Sequence, residues 1–399
     1  MLQHRYIIIT GIQSWNITIG SNIKNMASEL AKNNNVLFVN PPADRISKLK
    51  ELGQSNNKPS TPSLDQVEEN LWVLQPECVM ASINKVPLSS WFDHLNKRNS
   101  YLLGNEILKA IKLLGFSDYI HICDSDMFRS QHLKEILKPS LFVYYSRDNL
   151  LAVNYWKRHG VKAEPSIMKK ADLVLTNSEF LEKIALQHNP NSHFVGQGCD
   201  TSAYQANHTY QVPEELKQFS SPIIGYIGSL NTLRLDIGIL EHLATHCADW
   251  NIVLVGPEDE AFQNSSLHQF HNVHFLGSKP ESDLPKYLDT FDVAINPQLI
   301  NHVTIGNYPR KIDEYLSMGK AVVATKTEAM DYFSDYVSLA DTKNDWVQLI
   351  QKELENSDPS VIEKRIQFAS LHTWSNNIKE IGKRITKREN ELNHVITSS

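Results

Sequence analysis

Cysteine is scarce in this chain and never paired in sequence. The four, Cys78, Cys123, Cys199 and Cys247, include no CxxC spacing, which argues against a zinc knuckle or a redox pair. A reducing compartment with no structural disulfide is expected. Long apolar runs are also missing: none approaches the roughly 18 residues that a spanning helix needs. The first residues, MLQHRYIIITGIQSWN, hold too short an apolar stretch for a signal peptide, and no small-residue cleavage site follows. The expectation is a cytoplasmic protein whose membrane contact, if any, is peripheral at the inner face. Basic charge is not in excess either. A net charge of −6 argues against general nucleic-acid binding, which wants cations for phosphate neutralisation. Neither an internal repeat nor a low-complexity tract is present.

What remains is ordinary globular composition, 41% hydrophobic and 21% charged over 399 residues. That length favours two domains or more. Short apolar runs at Tyr6–Thr10 and Val36–Val39 flank helical spacing over Ser21–Asn33, with Ile23, Met26, Ala27 and Leu30 on one side. Strand, helix, strand in that order is a βαβ unit and implies a parallel sheet. Ala43–Asn70 is polar and reads as a long mobile loop. Further strands are expected at Tyr119–Cys123, Leu141–Tyr145, Leu173–Thr176 and His193–Val195, and helices at Asn99–Leu114 and Ser178–Gln187, with Ser178 as N-cap.

The pattern restarts after a polar linker, Tyr204–Pro222. Strands are expected at Ile223–Ile227, Ile252–Val255, Val273–Leu276, Val293–Ile295 and Ala321–Ala324, with a helix at Leu235–Cys247. The tail from Trp374 is charged and helical, shows no strong apolar face, and is expected outside the core, with a crossing back to the first domain as the open alternative. The fold class is therefore α/β, with two doubly wound Rossmann-like domains: 1–205, 206–373, and a C-terminal helix over 374–399. Such sheets bind ligands at the carboxyl ends of their strands.

The segment NYPRKIDEYLSMGKAVVAT, Asn307–Thr325, carries the strongest signal. Pro309 fits a helix's first turn, Ile312, Tyr315 and Leu316 form a packing stripe, and Gly319 ends the helix. Lys311 and Glu314 share a face. A helix N-terminus offers unpaired amides to a phosphate, and a carboxylate one turn in can accept two ribose hydroxyls. The alternative is a surface Lys–Glu pair on an ordinary helix. In the first half, Arg147 and Asp148 follow a buried strand directly, as a local salt bridge or a functional pair. His121 alternates with apolar neighbours in DYIHICDSD and reads first as a buried strand residue. Trp15 after the first strand, and Tyr155 and Trp156 in NYWKRHG, offer aromatic faces to a sugar or pack locally.

Asn307–Thr325 resembles the donor-binding helix of the GT-B glycosyltransferases of family 4 (group 1), in which a glutamate precedes Gly-x-Pro-Val-Val; here the stretch reads EYLSMGKAVVA. Gly225–Asp236 resembles the glycine-rich loop that opens the donor domain. Asn272–Pro297 resembles the stretch whose backbone, near Ser278–Pro280, meets the base. Gly196–Tyr204 resembles the family's turn into the linker, with Asp200 as a hinge, and His372–Ile378 the start of the crossing helix. The first of the family's two glutamates is replaced by Gly306. The resemblance implies a nucleotide-diphosphate sugar as donor, with no further cofactor. The implied donor-binding residues are Gly228, Ser229, Arg234, Ser278, Lys279, Asn307, Arg310, Lys311 and Glu314. The acceptor would be a glycan or lipid-linked glycan meeting Trp15, Tyr155 and Trp156, and the catalytic candidates are Asp148, Arg147 and His121, with Asp124 as a competitor. Retention at the anomeric carbon and metal independence are implied. Asp124-Ser125-Asp126 has the spelling of a metal motif but lies in the wrong domain. Two other readings share these features: a nucleotide-sugar 2-epimerase-like isomerase, and a non-catalytic nucleotide- or glycan-binding subunit.

Overall fold

A computed structural model describes residues 2–17, 21–43, 63–356 and 358–398, with side chains described as far as residue 394. The chain forms two compact units. Met1–Gly198 and Trp374–Ser399 make the first; Cys199–Thr373 make the second.

The first unit is built on strands β1 Tyr6–Gly11, β2 Asn35–Val39, β3 Ser63–Glu68, β4 Leu71–Gln75, β5 Ile120–Asp124, β6 Leu141–Ser146, β7 Leu173–Thr176 and β8 Ser192–Phe194. Their order is β3-β4-β2-β1-β5-β6-β7-β8. All described pairings are parallel except β3 with β4. Ile7, Ile8 and Ile9 are fully buried, as expected where helices cover both faces of a parallel sheet.

Helices α1 Asn22–Ala31, α2 Ser89–Leu114, α3 Asn154–Lys170 and α4 Glu179–Leu186 belong to the same unit. Ser178 caps α4, its hydroxyl accepting from the Leu181 amide at 3.3 Å.

Two sequence expectations change here. Part of the polar stretch read as a loop, Ser63–Glu68, is an edge strand; residues 44–62 lie outside the described residues. Asp65 to Glu68 are all exposed, so this edge shows the polar character that blunts a sheet margin and hides its strand pattern. Helix α2 begins at Ser89 rather than Asn99, because its buried stripe continues through the polar residues Asn96, Asn99 and Ser100, which apolar periodicity does not count. Helix α3 runs through Gly160 and Pro165, residue types that disfavour a helix interior. Gly160 is needed for packing: a Cβ there would stand 2.6 Å from Leu151 and 2.9 Å from the Met127 sulfur.

The second unit has strands β9 Ile223–Ile227, β10 Asn251–Val255, β11 Val273–Gly277, β12 Val293–Asn296, β13 Ala321–Thr325 and β14 Ser338–Ala340, in the order β11-β10-β9-β12-β13-β14, all parallel. Its helices include α5 Ile237–His246, α6 Arg310–Ser317, α7 Lys343–Glu355 and α8 Pro359–Ser370. The polar stretch after Cys199 packs on this unit: Tyr204 and Leu216 are buried with Ile223 and Ile227 in one core.

The last helix, α9 Trp374–Ser398, closes the first unit. Trp374, Ile378, Ile381 and Ile385 are buried among Ile7, Ile9, Leu173 and Leu175. This corrects the reading of the tail as lacking a core face. The stripe consists of three isoleucines and one tryptophan separated by charged residues, so its mean hydropathy is low although its spacing is helical. Each such side chain contributes about 1.5–3 kcal/mol on burial.

Candidate functional site

In both sheets the strand order reverses at the first strand of the unit, β1 between β2 and β5, and β9 between β10 and β12. Such reversals open a crevice at the carboxyl ends of the strands. In the second unit the loops there are shaped by glycines. Gly228, Gly256 and Gly277 follow or end β9, β10 and β11 with φ of 146°, 149° and 67°. A Cβ on Gly256 would lie 1.9 Å from the Gly228 carbonyl oxygen, so the two loops touch through backbone alone.

Helix α6 starts beside this loop. Its stripe of Ile312, Tyr315 and Leu316 is buried, and the Tyr315 hydroxyl accepts from the Ile227 amide at 3.0 Å, tying the helix to the end of β9. Gly319, at φ 70°, ends the helical region. Pro309 is the N-cap rather than a residue of the first turn.

Lys311 leans onto the end of β9. Its Nζ lies 3.9 Å from the centre of the Tyr226 ring, donates to the Tyr226 hydroxyl, and stands 2.6 Å from where a Cβ of Gly228 would be. Burial pulls its pKa down to about 7, against the pull of Glu314 in the other direction. Glu314 pairs with Arg310 at 3.7 Å, and burial raises its carboxyl pKa while Arg310 and Lys311 oppose the shift. The helix therefore presents an ammonium toward the glycine loop and a carboxylate one turn further in.

The other residues expected at a donor site are distributed more loosely. Ser229 and Arg234 are exposed on the loop after β9, and the Arg234 carbonyl accepts from the Leu299 amide at 2.8 Å. Asn307 lies just before α6, with its side-chain oxygen buried and lacking a hydrogen-bond partner among the described residues. Ser278 is exposed after β11. Lys279 is turned away: its Nζ pairs with Glu215 at 2.7 Å and sits 5.5 Å from the Tyr287 ring centre. Its charge is thus already matched.

Two features here escaped the sequence. Asn296 ends β12 at the reversal, buried, with its Nδ2 unpartnered among the described residues. Asp313, next to Glu314 and fully buried, accepts from the Tyr308 hydroxyl at 2.8 Å and faces the His372 Nδ1 at 2.7 Å. The Tyr332 hydroxyl meets the other ring nitrogen of His372 at 2.9 Å. This network anchors the loop before α6. Its only sequence signal was an acidic residue in a position that helical spacing marks as buried.

In the first unit, adjacent strands bring polar residues into one row. Gly11 pairs with Asp124, Asp124 with Tyr145, and Ser146 with Thr176. The Arg147 Nε donates to the fully buried Asp124 at 2.7 Å, and its Nη1 to Asp148 at 3.3 Å. Burial raises the Asp124 carboxyl pKa and Arg147 opposes it; Arg147 itself, despite the cost of burial, is held above its ordinary range by Asp124 and Asp148. Gln197 accepts from both Asn22 (2.9 Å) and Asn177 (3.0 Å). Arg147 Nη2, Asp124 Oδ2, Ser146 Oγ and Asn177 Oδ1 are buried without a hydrogen-bond partner among the described residues. Asp124 was named only as a competitor to the catalytic candidates, and Asn177 and Gln197 were not singled out as site residues, because buried polar residues at strand ends look like loop residues in sequence.

His121 does not join Arg147 and Asp148. It is fully buried, its Nε2 bonded to Thr10 at 2.9 Å, and desolvation lowers its pKa to about 3, so it is a neutral strand residue. Trp15 is likewise packed, 8% exposed and edge-on to Phe38 at 5.3 Å. Tyr155 is exposed at the start of α3, while Trp156 packs against Phe128 at 5.4 Å. In the Asp124-Ser125-Asp126 stretch each carboxylate already has a cation, Arg147 at 2.7 Å and Arg129 at 2.8 Å. Among the described residues no cluster of three His, Cys, Asp or Glu is placed to hold a metal.

Two parallel-sheet α/β units and this helix–loop arrangement are those of the GT-B glycosyltransferases. Residues 221–356 match the family model described as glycosyl transferases group 1. The chain is 28% identical over 254 residues to TuaH of Bacillus subtilis (strain 168), which is named for glycosyl transfer in teichuronic acid biosynthesis; the match spans 59% of this chain and 62% of TuaH. In fold, it is similar to Anabaena HepE solved in complex with UDP, with a TM-score of 0.66 and 14% identity over 96% of this chain and 100% of that one. It is similar to the sucrose-phosphate synthase of Thermosynechococcus elongatus, with a TM-score of 0.66 and 14% identity over 100% of both chains.

Proposed function

We propose that the protein transfers a glycosyl group from a nucleotide-diphosphate sugar to a hydroxyl of a glycan or lipid-linked glycan, with retention and without a metal. The observation that carries the reading is the position of Lys311 against the backbone of Gly228 at the strand reversal, one turn before Glu314 on the same helix. A diphosphate laid on the glycine loop meets the Lys311 ammonium and the amides at the start of α6, and Glu314 accepts the ribose hydroxyls. As the sugar–phosphate bond breaks, charge develops on the diphosphate. Fixed cations and amides stabilise it without reorganising, which is the part a divalent ion plays elsewhere. Arg310 and Arg234 add charge nearby. The first unit is the acceptor side. Asp148 is its reactive carboxylate, oriented by Arg147, and Tyr155 its exposed aromatic face. HepE was solved with UDP, so uridine diphosphate sugars are the first donors to try. The name of TuaH points to a cell-surface polysaccharide as product.

No described helix is long and apolar enough to cross a membrane. For a lipid-linked acceptor, contact at the inner face of the cell membrane would come from exposed side chains such as Trp91 on α2.

A panel of nucleotide sugars tested by thermal shift is the direct experiment. A true donor at a hundredfold excess over its dissociation constant stabilises the protein by about 2.7 kcal/mol, and turnover of that donor persists in EDTA. A panel in which nothing binds would end the reading; turnover lost in EDTA and restored by magnesium or manganese would end its metal-free part.

A further inference from the structure

Lys311 differs from the other cations near the donor loop. Arg310 has Glu314 at 3.7 Å and Lys279 has Glu215 at 2.7 Å, whereas no carboxylate pairs with Lys311 at ion-pair distance among the described residues. Its polar partner is the neutral Tyr226 hydroxyl, and the ring of the same residue lies under it. Glu314, on its own helix, is turned to Arg310, and the nearby Arg234, from the loop after β9, repels it. Tyr226 is itself held protonated by burial, with Arg234 opposing. An ammonium in this setting is only partly exposed and has no carboxylate in contact among the described residues, so burial favours the neutral amine against the more distant pull of Glu314. A diphosphate supplies the missing charge.

We propose that the donor's diphosphate is bound together with one proton, which the Lys311 Nζ takes from solvent as the anion arrives. The proposal rests on the donor-site reading given above and adds its pH control. The empty site holds Lys311 largely as an amine at alkaline pH, and the occupied site holds it as an ammonium. With the free lysine titrating near 7, the sign is fixed: affinity is full below that pH and falls about tenfold per unit above it, or about fiftyfold from pH 7 to pH 9.

The test is calorimetric titration of the intact chain with UDP-glucose, or with whichever of the GDP, ADP and dTDP sugars binds instead, in buffers of different ionisation enthalpy. These diphosphate diesters do not titrate near neutrality, so the proton count belongs to the protein. The expected result is uptake of about 0.9 proton at pH 8 and about 0.1 at pH 6. Lys311→Arg, which stays charged, should bind without uptake, and Lys311→Gln should bind weakly at every pH. Binding at pH 8 without proton uptake, or uptake that persists in Lys311→Arg, would overturn the inference and leave the donor site standing. If no nucleotide sugar binds at any pH, the donor-site reading itself falls, and this inference with it.

Discussion

Arg147 bridges two carboxylates in unlike surroundings: Asp124, fully buried at 2.7 Å, and Asp148, 37% exposed at 3.3 Å. The buried pair holds the guanidinium in place, and on the proposed function the more exposed carboxylate is the one left to meet a substrate.

Asp148→Asn is therefore expected to abolish turnover while sparing donor binding, since shape is kept and only charge is lost. Steady-state rates beside nucleotide-sugar titrations decide it. Turnover within about threefold of wild type, less than 1 kcal/mol, would make Asp148 structural and move attention to Asp124. Arg147→Ala should behave differently and destabilise the fold by roughly 3–5 kcal/mol, because it strands a buried carboxylate; urea unfolding reads this directly.

Glu314→Ala should weaken donor binding more than thirtyfold with the melting temperature little changed. A pair of charge-assisted hydrogen bonds is worth roughly 2–4 kcal/mol, and the native partner it gives up, Arg310, is itself one-third exposed. Wild-type affinity in this variant would remove Glu314 from the site.

Glu164 on α3 sets a pH dependence of stability. It is 7% exposed, accepts from the Tyr144 hydroxyl at 3.1 Å, and burial raises its pKa to about 7. A carboxyl raised in the folded state favours folding when protonated, so its contribution is full below about pH 4.5 and is lost as pH rises through 7. Wild type should lose roughly 3 kcal/mol between these limits from this group alone. Glu164→Gln, which can still accept from Tyr144, should remove that dependence and be more stable than wild type at pH 8. Parallel pH profiles of the two proteins would refute this.

For membrane contact the relevant side chains are Leu88 and Trp91, 57% and 65% exposed, beside the exposed Lys97 and Arg98. Phe92 does not share their face: it is buried and stacks on His159 with ring centres 4.0 Å apart. Weak, salt-sensitive co-sedimentation with anionic vesicles is expected, and Leu88→Ser with Trp91→Ser should reduce it. No binding at low salt would point to a soluble acceptor or delivery by another protein.

Most strands of both sheets were legible because each is a short apolar run ending near glycine or a polar turn; β3, β4 and β14 were not expected, β3 because its residues are mostly polar and exposed. Helix α6 was legible because Ile312, Tyr315 and Leu316 repeat at helical spacing between a proline and a glycine. What stayed hidden has a common cause: polar residues doing buried work. Asn96 and Asn99 disguised the start of α2, Asp313 and His372 formed a network across distant sequence, and Asn177 after β7 and Gln197 after β8 met only through strand pairing. Charged residues between isoleucines masked the inner face of α9. The aromatic at Trp15 misled in the opposite sense, since a residue next to a strand end can turn inward, as it does against Phe38.

The packing of α9 has a consequence for how the chain is made. During synthesis the segment through Gly198 leaves the ribosome first, yet the side chains that cover Ile7, Ile9, Leu173 and Leu175 come from Trp374, Ile378, Ile381 and Ile385. The first unit to be translated is thus the last to be completed. The second unit, continuous from Cys199 to Thr373, has no such wait and can fold while the first still exposes an apolar sheet face. A fragment cut at Gly198 would keep that face uncovered permanently and should aggregate unless the α9 peptide is supplied in trans.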